Sequence, residues 1–402
     1  MNQPIPFITR VRIANYKSIA ACDVELGPLK VLLGLNAAGK SNFLDVLSFV
    51  ADALSLGPRP ATAKRGGPEE LARQVDGPFP TVSVELQLQL AVTADTPTVS
   101  ARYGFELRFE QKTSRQPVAV AREWCHIGSG PDATDYVRTT SHVEFSSTTR
   151  AARSSELWLG TAALEDSNCS ALYSALCGIS FHTPDPQTMR GLELRASGNT
   201  LGEHGERLGE VLGELAKSHP AVKSRIDDYL GAIAPGALGM DQRVLDTHST
   251  VQLRMLEEDS GSERQFNPGS ISDGTLRAAG LLAALFQPDS LTGEVPLVCV
   301  DEPELGLHPT ATGVLFDALT EAAEHVQVIA ATQSADLLDR KDFDPDWALL
   351  VTMENGATQI SPVDEGTREV VARRLATLGE ELRSNQLTPR PIPAFLRQEA
   401  QD

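Results

Sequence analysis

The stretch VLLGLNAAGKSNFLDVLSFV (Val31–Val50) joins an apolar strand, a glycine-bracketed loop and an amphipathic helix without a spacer. Its loop, Gly34-Leu35-Asn36-Ala37-Ala38-Gly39-Lys40-Ser41, fits the pattern G-x-x-x-x-G-K-[ST] that cradles phosphates. Glycines let the backbone turn tightly and aim successive N–H groups at anionic oxygens, while the helix that follows presents its positive end to the same anion. Asn36, Ala37, Ala38 and Gly39 are therefore candidate phosphate contacts, together with Gly34 and Asn42 at the margins. The Lys40 ammonium would reach the outer phosphates, and the Ser41 hydroxyl would ligate magnesium. Flanking periodicity agrees. Lys30–Leu33 reads as a buried strand, and Phe43, Leu44, Val46, Leu47, Val50 and Leu54 recur at helical spacing before Gly57-Pro58 stops the run.

The chain has 402 residues, enough for two or three domains or for one large domain with insertions. Hydrophobic residues make up 41% and charged residues 22%, and no apolar run approaches bilayer-spanning length, so a membrane partner is not expected. The N-terminal MNQPIPFITR lacks a basic segment followed by an apolar one, which reads as a cytoplasmic protein. Five cysteines at 22, 125, 169, 177 and 299 show no paired short spacing, so neither a zinc site nor a disulfide framework is expected. A net charge of −19 repels a nucleic-acid backbone over most of the surface. A local basic groove would still admit DNA, and the arginines of RAARSSE and QKTSRQ read as solvated faces.

Along the chain, RVRIANY and DVELGPL alternate as two strands ahead of the loop. GPRPATAKRGGPEE reads as an exposed loop. Val82, Val84, Leu86, Leu88, Leu90 and Val92 then face one way, and Tyr103, Phe105, Leu107 and Phe109 repeat the pattern, as expected of half-buried antiparallel strands. A short helix is expected near NCSALYSALCG. Leu208, Val211, Leu212 and Leu215 line one helix, and Val222, Ile226, Tyr229, Leu230 and Ile233 line another, joined by HPAVK. From about Val251 the pattern becomes α/β: a capped helix at SISDGTLRAAGLLAALF, a buried strand VPLVCV, a helix through TATGVLFDALTEAAE and a buried strand VQVIAAT, which together imply a parallel sheet covered on both faces. The expected division is a discontinuous α/β core over 1–60 and 245–365, an antiparallel β subdomain over 61–190, a helical insertion or lid over 191–244 and a helical tail over 366–402.

The second chemical element is PLVCVDEPELGLHP, where a buried strand delivers Asp301 and Glu302 at its carboxyl end, the place where open α/β sheets bind ligands. Asp301 suits holding magnesium, and Glu302 suits polarising an attacking water. Ser272 with the following amides opens a helix, which is both an ordinary N-cap and an anion site.

Taken together, IANYKSI, GLNAAGKSN, SISDGTLR, DEPELGLHP and ATQSADLLD resemble the ABC-type ATPases of the AAA-15/AAA-21 group, relatives of the SMC, RecF and overcoming-lysogenization-defect (OLD) ATPases. The resemblance runs from about residue 7 to about residue 365 with the motifs in the family's order. It implies a P-loop NTPase with an ABC-ATPase-like head, ATP and Mg2+ as ligands, and hydrolysis of ATP. Ser272, Asp273 and Gly274 match the signature loop, which in such ATPases caps the γ-phosphate bound to the opposite protomer. Glu304, Leu305 and Gly306 fall in the D-loop region, and His308 is read as structural. Thr332-Gln333-Ser334 stands where transporter relatives place a switch histidine, so Gln333 would sense the γ-phosphate or the water without becoming a cation. Gln74 is the one candidate for the Q-loop glutamine.

The same resemblance implies a homodimer or higher oligomer closed around ATP. Only about 70 residues follow the switch motif, without the acidic cluster of the nuclease fused in OLD relatives, so the expectation is a separate effector, a nuclease or toxin, controlled in prokaryotic anti-phage defence. The alternatives are a RecF-like DNA repair or recombination ATPase and a slowly hydrolysing, nucleotide-gated scaffold. A transporter subunit fits less well, given SISDGT and the missing histidine.

Overall fold

The computed structural model describes residues 7–75, 77–90, 98–109, 118–130, 133–145, 148–151, 153, 155–195, 200–257, 261–384 and 387. Up to residue 179 the elements are β1 (Ile8–Tyr16), β2 (Ile19–Glu25), β3 (Leu29–Leu33), α1 (Lys40–Ser55), α2 (Pro58–Lys64), α3 (Pro68–Leu71), β4 (Val82–Leu90), β5 (Val99–Phe109), β6 (Val118–Ile127), β7 (Thr134–Thr139), β8 (His142–Phe145), β9 (Thr148–Ala151), α4 (Leu159–Ala162) and α5 (Ser167–Cys177). Next come β10 (Ser180–His182), α6 (Pro186–Met189), β11 (Glu193–Leu194), α7 (Leu208–Ser218), α8 (Pro220–Ile233), β12 (Ala237–Leu245), β13 (His248–Leu256), β14 (Glu263–Phe266), α9 (Asp273–Phe286), α10 (Pro288–Thr292), β15 (Leu297–Asp301), α11 (Thr312–Ala322) and β16 (Gln327–Thr332). The chain closes with β17 (Ala348–Glu354), β18 (Ala357–Pro362), α12 (Glu365–Ala372) and α13 (Leu378–Arg383).

Two compact units result, one built mainly from Ile5–Ile179 with Asp346–Glu369, the other from Ser180–Pro345 with Val370–Gln386. In the first, the strands run in the order β3-β17-β18-β2-β1-β4-β5-β6-β7-β8-β9. β17 lies parallel to β3 and β18 parallel to β2, while the strands from β2 through β9 pair antiparallel. The alternation along β4 and β5 does the packing: Val84 pairs with Phe105 and Leu86 with Tyr103, all buried. Phe49 of α1 stands 6.3 Å from Phe105 and 5.6 Å from Tyr16 between ring centroids, so the helix covers this apolar face. Burial of each such ring contributes about 1.5–3 kcal/mol.

In the second unit β10, β15 and β16 form a parallel row, in register Val298 with Ser180 and with Val328. α9 is apolar over ten residues of its length because it is buried almost all round, and Ser272 caps it by accepting from the Thr275 N–H. A separate antiparallel group, β11-β13-β12 with β14 on β13, sits in the same unit.

Several local expectations need correction. GPRPATAKRGGPEE is not a loop; it folds as α2 and α3, because Gly57 and Gly67 take up positive φ just ahead of prolines that open each helix. The second strand is Ile19–Glu25 rather than one reaching Leu29, since Gly27-Pro28 cannot continue the ladder. The joint within HPAVK narrows to His219, because α8 already begins at Pro220. Residues 191–244 hold α7 and α8, as expected of a helical insertion, but also β11 and β12. The strand through Val82 ends at Leu90, and Val92 lies outside the described residues. The chain also forms the hairpin β17–β18, turned by Asn355-Gly356, both left-handed, a strong two-residue turn signal. Of the tail, α13 docks on the segment that follows β16: Thr377 Oγ1 donates to Asp339, and Arg383 pairs with Asp336 and Asp339.

Candidate functional site

In the first unit the P-loop lies between β3 and α1. Ala37 and Gly39 both take left-handed φ, 63° and 105°, so successive N–H groups turn toward one concavity ahead of a helix that no side chain caps. Lys40, 5% exposed, folds back over the loop and donates from Nζ to the Gly34 carbonyl at 2.9 Å and the Leu35 carbonyl at 3.0 Å. Both glycines are required by close approach. A Cβ at Gly34 would overlap the Val351 carbonyl of β17, and one at Gly39 would overlap the Thr358 side chain of β18.

Thr358 packs on the loop and is a neighbour that no sequence motif marked. Its hydroxyl donates to the Ala38 carbonyl at 2.8 Å and lies 2.7 Å from Ser18 Oγ, which accepts from Asn42 Nδ2 at 2.7 Å. Asn42 therefore ties the helix to the wall of the loop. Gln74 lies in a cleft of about 500 Å3 that Lys17, Ser18, Asn42, Arg65 and Arg73 also line, and its amide reaches the Glu69 carbonyl at 3.5 Å.

Asp45, one turn further along α1, accepts from Tyr16 Oη at 2.7 Å and pairs with Arg65 Nε at 2.7 Å and Lys17 at 2.5 Å. Burial works against its charge, but the Arg65 guanidinium and the Lys17 ammonium outweigh it and hold the carboxyl below its ordinary value. A depressed folded value stabilises above the unfolded pKa of about 4 and is lost as pH falls through the lower, folded one. Asp45→Asn is therefore expected to cost about 1–3 kcal/mol at pH 7. Thermal melts at falling pH check the sign: the gap to the parent protein should close below about pH 4, and a gap that persists there would point to packing instead of charge.

In the second unit, β15 ends at Asp301, and the backbone turns at Glu302 with a left-handed φ of 47°, unusual for a residue with a side chain. The turn is held by Glu302 N–H on the Ala331 carbonyl at 2.8 Å and by Leu305 N–H on the Glu302 carbonyl at 2.9 Å. Gln333 comes beside it: its amide donates to Glu302 Oε1 at 3.1 Å. The Thr332 hydroxyl donates to Glu304 at 2.5 Å, and burial raises the Glu304 carboxyl above its usual range against that bond.

Ser272 serves as the N-cap that sequence allowed, with its hydroxyl also 2.7 Å from Thr275 Oγ1. Asp273 pairs with Arg190 at 2.6 Å, and a Cβ on Gly274 would come within 2.5 Å of the Gly306 carbonyl, so the signature turn packs on the Glu304-Leu305-Gly306 loop. His308 caps a short turn by accepting from Thr310 N–H at 3.3 Å, a structural role as read. A small cavity of about 130 Å3 beside Asp301 and Glu302 is also lined by His182, which no motif marked, and by Arg277, the last residue of SISDGTLR.

Residues 184–339 match the family model described as "AAA domain, putative AbiEii toxin, Type IV TA system". Over that span the chain resembles an AAA domain of this family. The matched span contains the signature turn, Asp301, Glu302 and Gln333, whereas the P-loop lies outside it. No curated protein matches the sequence. Among solved structures, an SMC head bound to the C-terminal winged-helix domain of ScpA shares the fold at a TM-score of 0.54 and 13% identity, over 90% of this chain and 99% of that one. An SMC head with an extended coiled coil, bound to the C-terminal domain of ScpA derived from Pyrococcus furiosus, gives 0.53 and 12%, over 92% and 100%. No helix among the described residues is long and apolar enough to cross a membrane.

Proposed function

We propose that this AAA-21 protein hydrolyses ATP and uses the cycle as a cytoplasmic switch, closing two or more copies around nucleotide to control a separate effector, a nuclease or toxin, in prokaryotic defence. The observation that carries the hydrolytic reading is the Gln333 amide on the Glu302 carboxylate: a sensor donor and a base share one hydrogen bond at the end of the strand that delivers Asp301. Lys40 and the backbone of residues 34–42 would bind the phosphates, and Glu302 would take a proton from the attacking water while Gln333 orients it. Ser41 and Asp301 would each offer a hard oxygen of the kind magnesium prefers, and a bound ion would neutralise charge on the phosphates. Among the described residues no cluster of three or more metal-ligating side chains exists, which suits an ion that keeps most of its shell from water and phosphate. Ser272, Asp273 and Gly274 would cap the γ-phosphate bound to another copy.

The defence role draws on the matched family's description, which names a toxin of a type IV toxin–antitoxin system. The charge of −19 favours a protein effector over DNA. Phosphate release from ATP and magnesium, measured with and without duplex DNA, tests both parts. Turnover that Lys40→Ala abolishes and DNA leaves unchanged supports the effector switch. Several-fold stimulation by DNA would favour the RecF-like repair reading, and absent turnover with retained ATP binding would leave a nucleotide-gated scaffold.

A further inference from the structure

The cavity beside Glu302 contains two side chains with no place in the reaction described above. His182 ends β10, in register with Val300 of β15 and so one residue short of Asp301 on the neighbouring strand. It is 1% exposed. Its Nδ1 lies 3.2 Å from the Gly202 carbonyl, which can only accept, so Nδ1 carries the hydrogen and Nε2 presents a lone pair. Nε2 is buried and has no hydrogen-bond partner among the described residues. Burial lowers the imidazole to about 4, which keeps the ring neutral near pH 7. A bare buried acceptor is costly, so a donor is expected to meet it.

Arg277, on the second turn of α9, lines the same cavity half-buried and makes no hydrogen bond or ion pair with the described residues. Glu302 lines it too, so an acceptor, a cation and a carboxylate share one space. At about 130 Å3 the cavity is roomy enough for several waters, each of which needs only about 15 Å3, and these three side chains give a water there the polar partners it needs amid an otherwise largely apolar lining.

We propose that His182 is a positioning residue for Glu302: a water in this cavity donates one hydrogen to His182 Nε2 and the other to the Glu302 carboxylate, and accepts from Arg277. No proton is transferred; the bridge fixes the carboxylate in the orientation it uses on the attacking water. This rests on Glu302 being the polarising base, so the test has an arm that needs no turnover. In the full chain labelled with 15N-histidine, without nucleotide, the His182 signals are those that vanish in His182→Gln. The expected result is an Nδ1-protonated neutral ring whose Nε2 shift is that of a hydrogen-bonded acceptor and moves in both Glu302→Gln and Arg277→Met. A hydrogen on Nε2, or a shift indifferent to both substitutions, overturns the bridge.

The second arm is kinetic. His182→Phe should lower kcat about tenfold, as misorientation does. The KM for ATP should stay within about twofold, the pattern of a contact used in the transition state. His182→Gln, whose carbonyl restores an acceptor, should recover most of the rate. Equal losses in both variants, or a loss in KM, would make His182 a packing residue. A bridged Nε2 in a protein without turnover would sink the hydrolytic reading and leave the bridge standing, whereas turnover with an indifferent Nε2 would sink the bridge alone.

Discussion

Glu302→Gln should bind ATP as the parent protein does, hydrolyse it about 10^2- to 10^4-fold more slowly, and accumulate as a closed dimer. The substitution keeps size and shape, and its carbonyl can still accept from the Gln333 amide that reaches Oε1 at 3.1 Å, so the turn with its left-handed φ is retained. What is removed is the ability to take a proton. Without hydrolysis, ATP stays where the signature residues Ser272, Asp273 and Gly274 of another copy would meet it. Light scattering with ATP and magnesium should then show the mass rise from 43.2 kDa to twice that value or a higher multiple. An unchanged mass with ATP demonstrably bound would remove support for the trans role of those three residues. Undiminished phosphate release would take Glu302 out of the reaction.

The second large effect is expected at Gly39, where Ala should weaken ATP binding by about 100-fold, close to 3 kcal/mol. Two costs combine. The residue holds φ at 105°, where a side chain is strained, at about 1–2 kcal/mol. Its new methyl would also overlap the Thr358 side chain, an overpacking cost of about 1–3 kcal/mol that the loop can relieve only by leaving its phosphate-binding shape. Adding Thr358→Ala removes the overlap but not the strained φ, so the double variant should regain about half of the lost binding free energy. Titration with a fluorescent ATP analogue, alongside circular dichroism to confirm folding, checks this. Normal affinity in Gly39→Ala would mean that the loop does not hold phosphate in the shape described.

The elements that were legible are those whose signals lie within one or two turns or a single strand. The helix of Phe43, Leu44 and Val50, the alternation of β4 and β5, the Ser272 cap and the buried strands β15 and β16 all follow from side-chain periodicity or a capping residue close by. GPRPATAKRGGPEE departs from expectation for a local reason as well. Glycine and proline break regular structure, yet a glycine before a proline is also how a short helix begins. The hairpin of β17 and β18 carries a local signal too, the Asn355-Gly356 turn between its strands.

By itself the sequence determined the local vocabulary: a glycine-bracketed loop with Lys40 and Ser41, paired carboxylates Asp301 and Glu302 at the end of an apolar strand, and a hydroxyl opening an apolar helix. Each is a contiguous pattern in which backbone conformation and chemistry are dictated by adjacent residues. Tertiary structure alone decided what those groups lean on. Thr358 braces the Ala38 carbonyl from 320 residues away, Gln333 crosses 31 residues to reach Glu302, and His182 comes level with the end of β15 because β10 is its parallel neighbour. Such contacts depend on strand order and register between segments far apart in the chain. Local periodicity is silent there, because it encodes which face of an element is buried but not which partner buries it.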